Sequence, residues 1–382
     1  MHFQTKAIHA GRERGIDGPL NGPSYPLYLT STFHQDSHTE AGEFLYTRSG
    51  NPTRDNLEKQ VAALEESKYA LAMASGMAAV TVSLSLLEPG DKVLFHEDIY
   101  GGTWSLLEDF LATQKIGFQI VRDLNEFDFA DLDPAVKAVF IETPSNPLNQ
   151  VTDIEAVATK AKERNLLVIV DNTFMTSYLQ KPLQLGADIV VYSATKYYGG
   201  HSDVISGLIT VNDDDLYDKL KLFRKVQGSP LSPFDAFLTN RGIKTMPIRM
   251  DAQEKNTARI FEYFRDSDAF DAVYYTGDPA RPDYEIQKKQ ATGFGGLISV
   301  ELNEDYDLNV FTSSLGVFAL AVSLGGVESL MSVSATMTHE TYTQEQHDSI
   351  GIKPNLIRIA IGIEHIDDLI GDIEQALEKS KK

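Results

Sequence analysis

The chain has no cysteine among its 382 residues. Disulfides, thiolate nucleophiles and cysteine-ligated metal sites are therefore excluded together, and we predict no metal site. Basic residues are also scarce, because 34 lysines and arginines stand against 55 acidic residues, which gives a net charge of −21. Such a surface repels phosphate backbones and anionic lipids. We therefore expect no nucleic-acid partner and no membrane partner.

Long hydrophobic runs and targeting signals are missing as well. The most apolar long stretch, residues 310–326, is interrupted by one threonine and three serines, and it is too polar to span a bilayer. Residues 1–6 lack the apolar run of a signal peptide. We expect a cytoplasmic protein.

Apolar runs that end at polar residues alternate with helical patterns through the first two thirds of the chain. Strands are predicted at residues 69–74, 92–95, 137–141, 166–170 and 189–191, and helices after Asn51-Pro52 and at residues 77–87 and 154–164. This alternation predicts an α/β fold with a mostly parallel sheet and helices on both faces. In such sheets, ligands bind beyond the carboxyl ends of the strands.

The two ends of the chain follow other patterns. Residues 1–45 are rich in Gly, Pro, Ser and Thr with little periodicity, which predicts an irregular N-terminal arm. Strands at residues 294–302 and 356–361, followed by an amphipathic C-terminal helix, predict a smaller α+β domain. We therefore predict an arm at 1–45, a cofactor-binding domain at 46–235 and a C-terminal domain at 236–382.

Two predicted strands end in side chains that suit one cofactor. One strand ends at Asp171, and the next runs into Ser193, Thr195 and Lys196. Pyridoxal 5'-phosphate needs a lysine amine for a Schiff base and an anion beside its pyridine nitrogen. Its phosphate needs hydroxyls or backbone N–H groups, which the strand-to-helix turn at Ser75-Gly76-Met77 can supply. These residues predict a pyridoxal-phosphate enzyme with Lys196 as the covalent lysine.

Short motifs recur in order along nearly the whole chain. Around the lysine, the run from Ser193 to His201 reads Ser-Ala-Thr-Lys-Tyr-Tyr-Gly-Gly-His. The other motifs are Tyr46-Thr47-Arg48-Ser49-Gly50-Asn51-Pro52-Thr53, Ser75-Gly76-Met77-Ala78, Tyr100-Gly101-Gly102-Thr103, Glu142-Thr143-Pro144-Ser145-Asn146-Pro147, Asp171-Asn172-Thr173, Ser323-Leu324-Gly325-Gly326 and Arg358. Together they resemble the Cys/Met-metabolism pyridoxal-phosphate family, which includes cystathionine γ-synthase, cystathionine β- and γ-lyases and methionine γ-lyase.

The resemblance implies a fold-type I pyridoxal-phosphate enzyme and a role for each matched residue. It implies that Lys196 binds the cofactor and carries protons, that Asp171 pairs with the pyridine nitrogen, and that Tyr100 stacks on the ring and assists proton transfer. The residues implied to bind the phosphate are Gly76, Met77, Ser193 and Thr195, with Tyr46 and Arg48 reaching from a neighbouring subunit. The residues implied to hold the substrate α-carboxylate are Asn146, Ser323 and Arg358. The resemblance also implies a homo-oligomer. It is at least a dimer with shared active sites, and we predict a tetramer made of two such dimers.

A few positions bear on the substrate. Gly102 stands where methionine γ-lyases carry a cysteine, and its motif is closer to that of cystathionine γ-lyases and γ-synthases. Val322 stands where those enzymes usually have glutamate and where methionine γ-lyases have valine, and Trp104-Ser105 replaces the Asn-Arg of animal γ-lyases. We predict a carbon–sulfur lyase for sulfur-containing amino acids, cystathionine γ-lyase first, with β-lyase and homocysteine or cysteine desulfhydrase side activities. A cystathionine γ-synthase and a methionine γ-lyase-like enzyme are the alternatives.

One alternative belongs to another class of enzyme. Tyr192 and Lys196 have the Tyr-x-x-x-Lys spacing of short-chain dehydrogenases. Those enzymes also carry a glycine-rich dinucleotide turn after their first strand, whereas the comparable turn at residues 75–79 has a single glycine. The dehydrogenase hypothesis is therefore disfavoured. A non-catalytic relative is disfavoured too, because every position that the cofactor chemistry needs is filled.

Overall fold

A computed structural model of the protein describes residues 1–11, 22–40, 42–340 and 342–382. The chain splits into two compact units, each formed by two segments that are distant in sequence. Unit one comprises Met1–Leu86 and Asp188–Pro247, and unit two comprises Leu87–Ala187 and Ile248–Lys382. The predicted domain boundaries near residues 45 and 235 describe another division of the chain, and they stay a prediction.

Strands and helices are numbered here in chain order. The strands are β1 (Tyr69–Met73), β2 (Lys92–His96), β3 (Gly117–Val121), β4 (Val136–Glu142), β5 (Leu167–Asp171), β6 (Ile189–Ser193), β7 (Gly207–Val211), β8 (Phe270–Tyr274), β9 (Leu297–Leu302), β10 (Ala319–Leu320), β11 (Leu330–Val333) and β12 (Leu356–Ala360). The α-helices are α1 (Phe3–His9), α2 (Pro52–Glu65), α3 (Gly76–Leu84), α4 (Gly101–Ser105), α5 (Ile154–Glu163), α6 (Thr176–Leu179), α7 (Asp214–Val226), α8 (Pro233–Ile243), α9 (Met246–Arg265), α10 (Tyr284–Gln290), α11 (Leu308–Ser314), α12 (Gln344–Ile350) and α13 (Ile366–Ser380).

The strands of the α/β part run in the order β1-β7-β6 in unit one and β5-β4-β2-β3 in unit two. In unit two, β4 pairs in parallel with both β2 and β5, and β2 pairs in parallel with β3. In unit one, β7 is antiparallel to both of its neighbours, β1 and β6. The predicted α/β class with a mostly parallel sheet is confirmed, and β7 is the exception that the sequence pattern did not reveal.

The smaller sheet lies in unit two and has the order β10-β11-β12-β9-β8. Its pairs β11–β12, β12–β9 and β9–β8 are antiparallel. Ile298, Ile357 and Ile359 from this sheet share a buried cluster with Leu369 and Ile373 of α13. This apolar stripe on α13 explains why the amphipathic C-terminal helix forms where it was predicted, and the smaller α+β part of the predicted fold class is confirmed.

In unit one, the start of α2 has a local cause, whereas α1 depends on a distant contact. Helix α2 begins at its predicted site because Asn51 Oδ1 accepts the Thr53 amide at 3.0 Å and Pro52 occupies the first helical position. The expectation of an arm without regular structure is wrong for α1. That helix is held because the buried Ala7 offers its carbonyl to Gln60 Nε2 of α2 at 2.6 Å.

Within the described ranges, no helix is long and apolar enough to cross a membrane. The same ranges hold no group of three acidic or histidine side chains placed to bind a metal ion.

Candidate active site

The predicted lysine lies in unit one, in the turn that follows β6. Its amide donates to Ser193 O at 3.1 Å, and Thr195 bonds to the main chain of Ser206 on the segment that leads into β7. Thr195 Oγ1 both accepts the Ser206 amide at 3.0 Å and donates to the Ser206 carbonyl at 3.1 Å. These bonds fix the turn, so partly buried Lys196 projects from a rigid strand end.

A second turn of unit one lies against this strand end. A Cβ atom added at Gly76 would lie 2.7 Å from Ser193 Cβ, and one added at Gly207 would lie 2.0 Å from Ser75 O. Both distances are too short for any side chain, so glycine is required where the turn meets β6 and β7. The structure thus brings together Gly76 and Ser193, two of the residues predicted to bind the phosphate.

The same turn begins α3 and exposes amides at its N-terminus. Ser75 caps the helix, since its Oγ accepts the Ala78 amide at 3.0 Å and its carbonyl accepts the Ala79 amide at 3.1 Å. The amides of Gly76 and Met77 precede these bonds, and such leading amides of a helix bind phosphate well. The amine, the hydroxyl of Ser193 and this glycine-lined cradle fit the lysine-linked end and the phosphate of pyridoxal phosphate.

In unit two, the carboxyl ends of β4 and β5 carry two acids side by side. Asp171 is in register with Glu142 across the parallel pair. Asp171 Oδ1 accepts the Thr173 amide at 2.9 Å and the Thr173 hydroxyl at 2.5 Å. Burial raises the pKa of Asp171 to about 6, against the opposing effect of these two hydrogen bonds. An anion at this place suits the pyridinium nitrogen of the cofactor.

Glu142 was not among the predicted site residues. Burial, with the Asp171 charge as the second cause, raises the pKa of Glu142 well above its ordinary value. Its Oε2 accepts the amide of Tyr100 at 3.0 Å, although the two residues are 42 positions apart. The signal that could have found it is an acid that ends a buried strand, the same pattern that singled out Asp171.

Tyr100 stands just before α4, and the amides of Thr103 and Trp104 in that helix donate to its carbonyl at 2.9 and 3.1 Å. Tyr100 is 45% exposed. Desolvation of the hydroxyl is the main cause that raises the pKa of Tyr100, followed by the charge of Glu142, while Arg358 opposes the shift. The phenol is therefore neutral at physiological pH and can act as a proton donor.

Three predicted carboxylate-binding residues meet in unit two. Arg358 on β12 is 4% exposed. Its Nη1 donates to Asn146 Oδ1 at 3.1 Å, and its Nη2 donates to Ser323 O at 2.8 Å. Ser323 has a φ of 92°, an unfavourable conformation for a residue with a side chain, and this conformation accompanies the carbonyl's bond to the arginine. A guanidinium aligned in this way matches the geometry of a carboxylate.

Tyr46 and Arg48 also belong to unit one. Both are exposed, and the Arg48 guanidinium carbon lies 5.7 Å from the centre of the Tyr46 ring. Arg48 Nη1 also donates to Lys225 O at 3.3 Å. The structure therefore places the two residues together, on the surface of the unit.

Tyr192 has a structural environment that leaves no place for a hydride-transfer role. The side chain is fully buried, and its hydroxyl donates to Glu65 Oε2 at 2.5 Å. Its ring also packs edge-on against Tyr198, with ring centres 5.2 Å apart. A catalytic tyrosine has to reach its substrate, so the dehydrogenase alternative is not supported.

Comparison with known proteins agrees with these observations. The family model of Cys/Met metabolism PLP-dependent enzymes matches residues 4–378. A cystathionine beta-lyase of Lactococcus lactis is 45% identical over 381 residues, which cover 99% of each chain. A cystathionine gamma-lyase of Dictyostelium discoideum is 43% identical, over 98% of this chain and 97% of the relative.

Solved structures show the same relationship. The crystal structure of cystathionine gamma-lyase from Lactobacillus plantarum complexed with L-serine superposes with a TM-score of 0.95 at 41% identity, covering 100% of this chain and 99% of the other. The matches by sequence and by structure span almost the entire chain, so the agreement extends far beyond the lysine motif. The chain therefore belongs to the Cys/Met-metabolism family of pyridoxal-phosphate-dependent enzymes, and it is a carbon–sulfur lyase.

Proposed function

We propose that the enzyme cleaves cystathionine, with γ-cleavage to cysteine, 2-oxobutanoate and ammonia as the favoured reaction. The observation that carries the proposal is the buried guanidinium of Arg358, aligned by Asn146 and Ser323. It is suited to the α-carboxylate of an amino acid within a family of carbon–sulfur lyases. β-Cleavage to homocysteine, pyruvate and ammonia is the second candidate, because relatives that are 45% identical are named beta-lyases.

We assign the cofactor contacts from the family resemblance, and the two units support them separately. Lys196 would hold pyridoxal phosphate covalently, Asp171 would pair with its ring nitrogen, and Tyr100 would stack on its ring. The residues proposed for the phosphate are Gly76, Met77, Ser193 and Thr195, with Tyr46 and Arg48 contributed by a neighbouring subunit. When bound, the cofactor withdraws electrons from the substrate and makes its α-hydrogen acidic.

The protein's own groups then move protons and hold the substrate in place. Arg358 fixes the α-carboxylate, so that the α-hydrogen keeps one orientation. The Lys196 amine takes the proton from Cα. For γ-cleavage it first gives this proton up to the cofactor-bound substrate and, neutral again, takes a second proton from Cβ. The neutral phenol of Tyr100 assists by donating a proton to the departing sulfur. β-Cleavage needs no proton from Cβ and breaks the Cβ–S bond, whereas γ-cleavage breaks the Cγ–S bond.

One assay separates the candidate reactions. The holoenzyme is incubated with cystathionine, and the keto acid is identified by mass spectrometry. We expect 2-oxobutanoate to predominate. A predominance of pyruvate would make the protein a β-lyase. Formation of cystathionine from an activated homoserine ester and cysteine, without keto acid from cystathionine, would make it a γ-synthase.

Val322 bears on substrate preference. Its side chain is 54% exposed and directly precedes Ser323, whose carbonyl accepts Arg358. A carboxylate at this position could pair with the distal ammonium of cystathionine, which valine cannot do. A charge-assisted hydrogen bond is worth about 1.5–3 kcal/mol, or about 10- to 100-fold in preference. We expect weak discrimination between cystathionine and homocysteine.

The variant Val322→Glu tests this expectation directly. We expect the ratio of kcat/KM for cystathionine to kcat/KM for homocysteine to rise in the variant. Val322→Gln is the matched control, because it adds similar bulk and polarity without a charge. A wild-type enzyme that already selects cystathionine sharply, or a ratio unchanged by glutamate, would show that another part of the pocket sets specificity.

We propose further that the protein acts in the cytoplasm as a homo-oligomer, a tetramer built from two dimers that share active sites. Exposure of Tyr46 and Arg48 on unit one supports a role toward a neighbouring subunit. Mixing Arg48→Ala with Lys196→Ala subunits should then regenerate some intact sites. If mixed oligomers are shown to form but their activity stays at the level of the separate variants, Tyr46 and Arg48 act in the active site of their own subunit.

A further inference from the structure

Glu142 is a buried acid to which the proposed reaction gives no role. It is 5% exposed, at the carboxyl end of β4 in unit two. Burying an acid in this way is costly unless it is paired, hydrogen-bonded or protonated. The charged and titratable groups that face it are Asp171, Asp98, Tyr100, Tyr342 and Arg358, and its main chain bonds to His96.

Its hydrogen bond holds the residue proposed to stack on the cofactor. Glu142 Oε2 accepts the Tyr100 amide at 3.0 Å. This amide precedes α4, where helical bonds leave the leading N–H groups unsatisfied. Because the Tyr100 side chain is 45% exposed, its position depends on its main chain more than on packing. Glu142 is thus an anchor that acts on the ring through the backbone.

The pairing of Glu142 with Asp171 determines which acid carries a proton. Adjacent strands lie about 4.8 Å apart, and the two residues are in register, so two charges here would repel strongly. Asp171 accepts two hydrogen bonds from Thr173, whereas one is described for Glu142. The better-solvated anion is Asp171, and the proton resides on Glu142.

We propose that Glu142 is a positioning residue that, as a neutral carboxylic acid, anchors the main chain of Tyr100 and leaves the negative charge on Asp171. The inference rests on the proposed roles of Tyr100 and Asp171. A neutral Glu142 lets Asp171 keep its charge for the cofactor nitrogen without a second buried anion beside it. It also accounts for an acid, rather than an apolar side chain, at the end of this strand.

Three substitutions in the holoenzyme separate the two parts of the proposal. Glu142→Gln keeps a neutral acceptor for the Tyr100 amide, so kcat and the visible circular dichroism of the bound cofactor should stay close to wild type. Glu142→Ala leaves the amide unpaired, and kcat should fall about 10- to 100-fold with KM changed little. The dichroism of the cofactor band should also change, because it reports the ring's surroundings. Glu142→Asp, which keeps the acid but shortens its reach, should behave like Glu142→Ala.

A double-mutant cycle tests whether Glu142 acts through Tyr100. In the Tyr100→Ala background, adding Glu142→Ala should cause no further loss of kcat, because the anchored ring is already gone. Glu301→Gln is the matched control for replacing a buried acid, since Glu301 is also buried in unit two but bonds to Lys353 and Tyr274. The Glu301→Gln holoenzyme should keep the infrared band of the protonated Glu142 carboxyl group.

An infrared measurement keeps the proposal testable even if Glu142→Ala does not fold. The wild-type holoenzyme should show the carbonyl band of a protonated carboxyl group that Glu142→Gln removes. Absence of that band, additive losses in the double variant, or a glutamine variant as impaired as the alanine one would overturn the proposal. Lack of lyase activity in the wild type would instead refute the proposed function, so the two failures are distinguishable.

Discussion

Replacing Arg358 with lysine tests the carboxylate site most directly. The guanidinium is 4% exposed and divides its two ends between Asn146 Oδ1 and Ser323 O. Lysine keeps the charge but has no planar fork, so it cannot bind a carboxylate through two parallel bonds while it also satisfies both partners. One lost charge-assisted bond is worth about 1.5–3 kcal/mol. We expect KM for cystathionine to rise about 10- to 100-fold, with a smaller effect on kcat.

The substitution should also affect stability, and a control separates the two effects. Asn146 Oδ1 and Ser323 O lose their partner, which costs about 1–3 kcal/mol for a buried group left unsatisfied. Arg224→Lys is the control for this cost, because Arg224 is 2% exposed in unit one and bonds to Glu58 and Ala72 O. Steady-state kinetics and urea unfolding are measured on both variants. If Arg358→Lys and Arg224→Lys lose the same stability and Arg358→Lys keeps the KM of the wild type, the assignment of the carboxylate site is refuted.

Three other predictions concern single side chains. Lys196→Ala should lower kcat by about 10²- to 10⁴-fold or more, since it removes the proposed base, and a fully active variant in steady-state assays would contradict its role. Burial raises the pKa of Asp98 to about 7 from 3.8. The protonated carboxyl group therefore contributes stability that is fully present below pH 4 and is lost as the pH rises through 7. Asp98→Asn should therefore remove about 3 kcal/mol of the difference between urea unfolding at pH 5 and at pH 8, and an unchanged difference would be inconsistent with this assignment. Tyr192→Phe should leave kcat within about twofold but cost about 1–3 kcal/mol in unfolding free energy, whereas a large loss of kcat would revive a catalytic role for this tyrosine.

Local patterns predicted those parts of the fold that depend on local causes. The strands that end at Asp171 and Ser193 are apolar runs bounded by polar residues, and the start of α2 follows from an Asn-Pro cap. The antiparallel β7 was not predicted, because strand direction depends on pairing partners rather than on the strand's own residues. The helix α1 was missed because it is stabilised by a contact with α2, 53 positions away in sequence.

The same distinction holds for the site. Lys196 and Asp171 could be found because their chemical type and strand-end position are visible in the sequence. The contacts of Arg358 could not, since Asn146 is 212 positions away and the Ser323 carbonyl is a main-chain group. Its role was implied only by the resemblance to a family. The structure adds the physical reason, which is a guanidinium aligned by two acceptors in a buried place.

Glu142 shows how a site residue escapes a search that considers each position alone. By itself, an acid at the end of an apolar strand is as well explained by bonds to nearby backbone as by chemistry. Its meaning arises from two relations, the register with Asp171 on β5 and the bond to the Tyr100 amide. Both depend on the parallel order of β4 and β5, which brings the ends of these strands to one edge of the sheet. Since Asp171 accepts two hydrogen bonds and one is described for Glu142, this register is also the basis for proposing that Glu142 holds the proton of the pair.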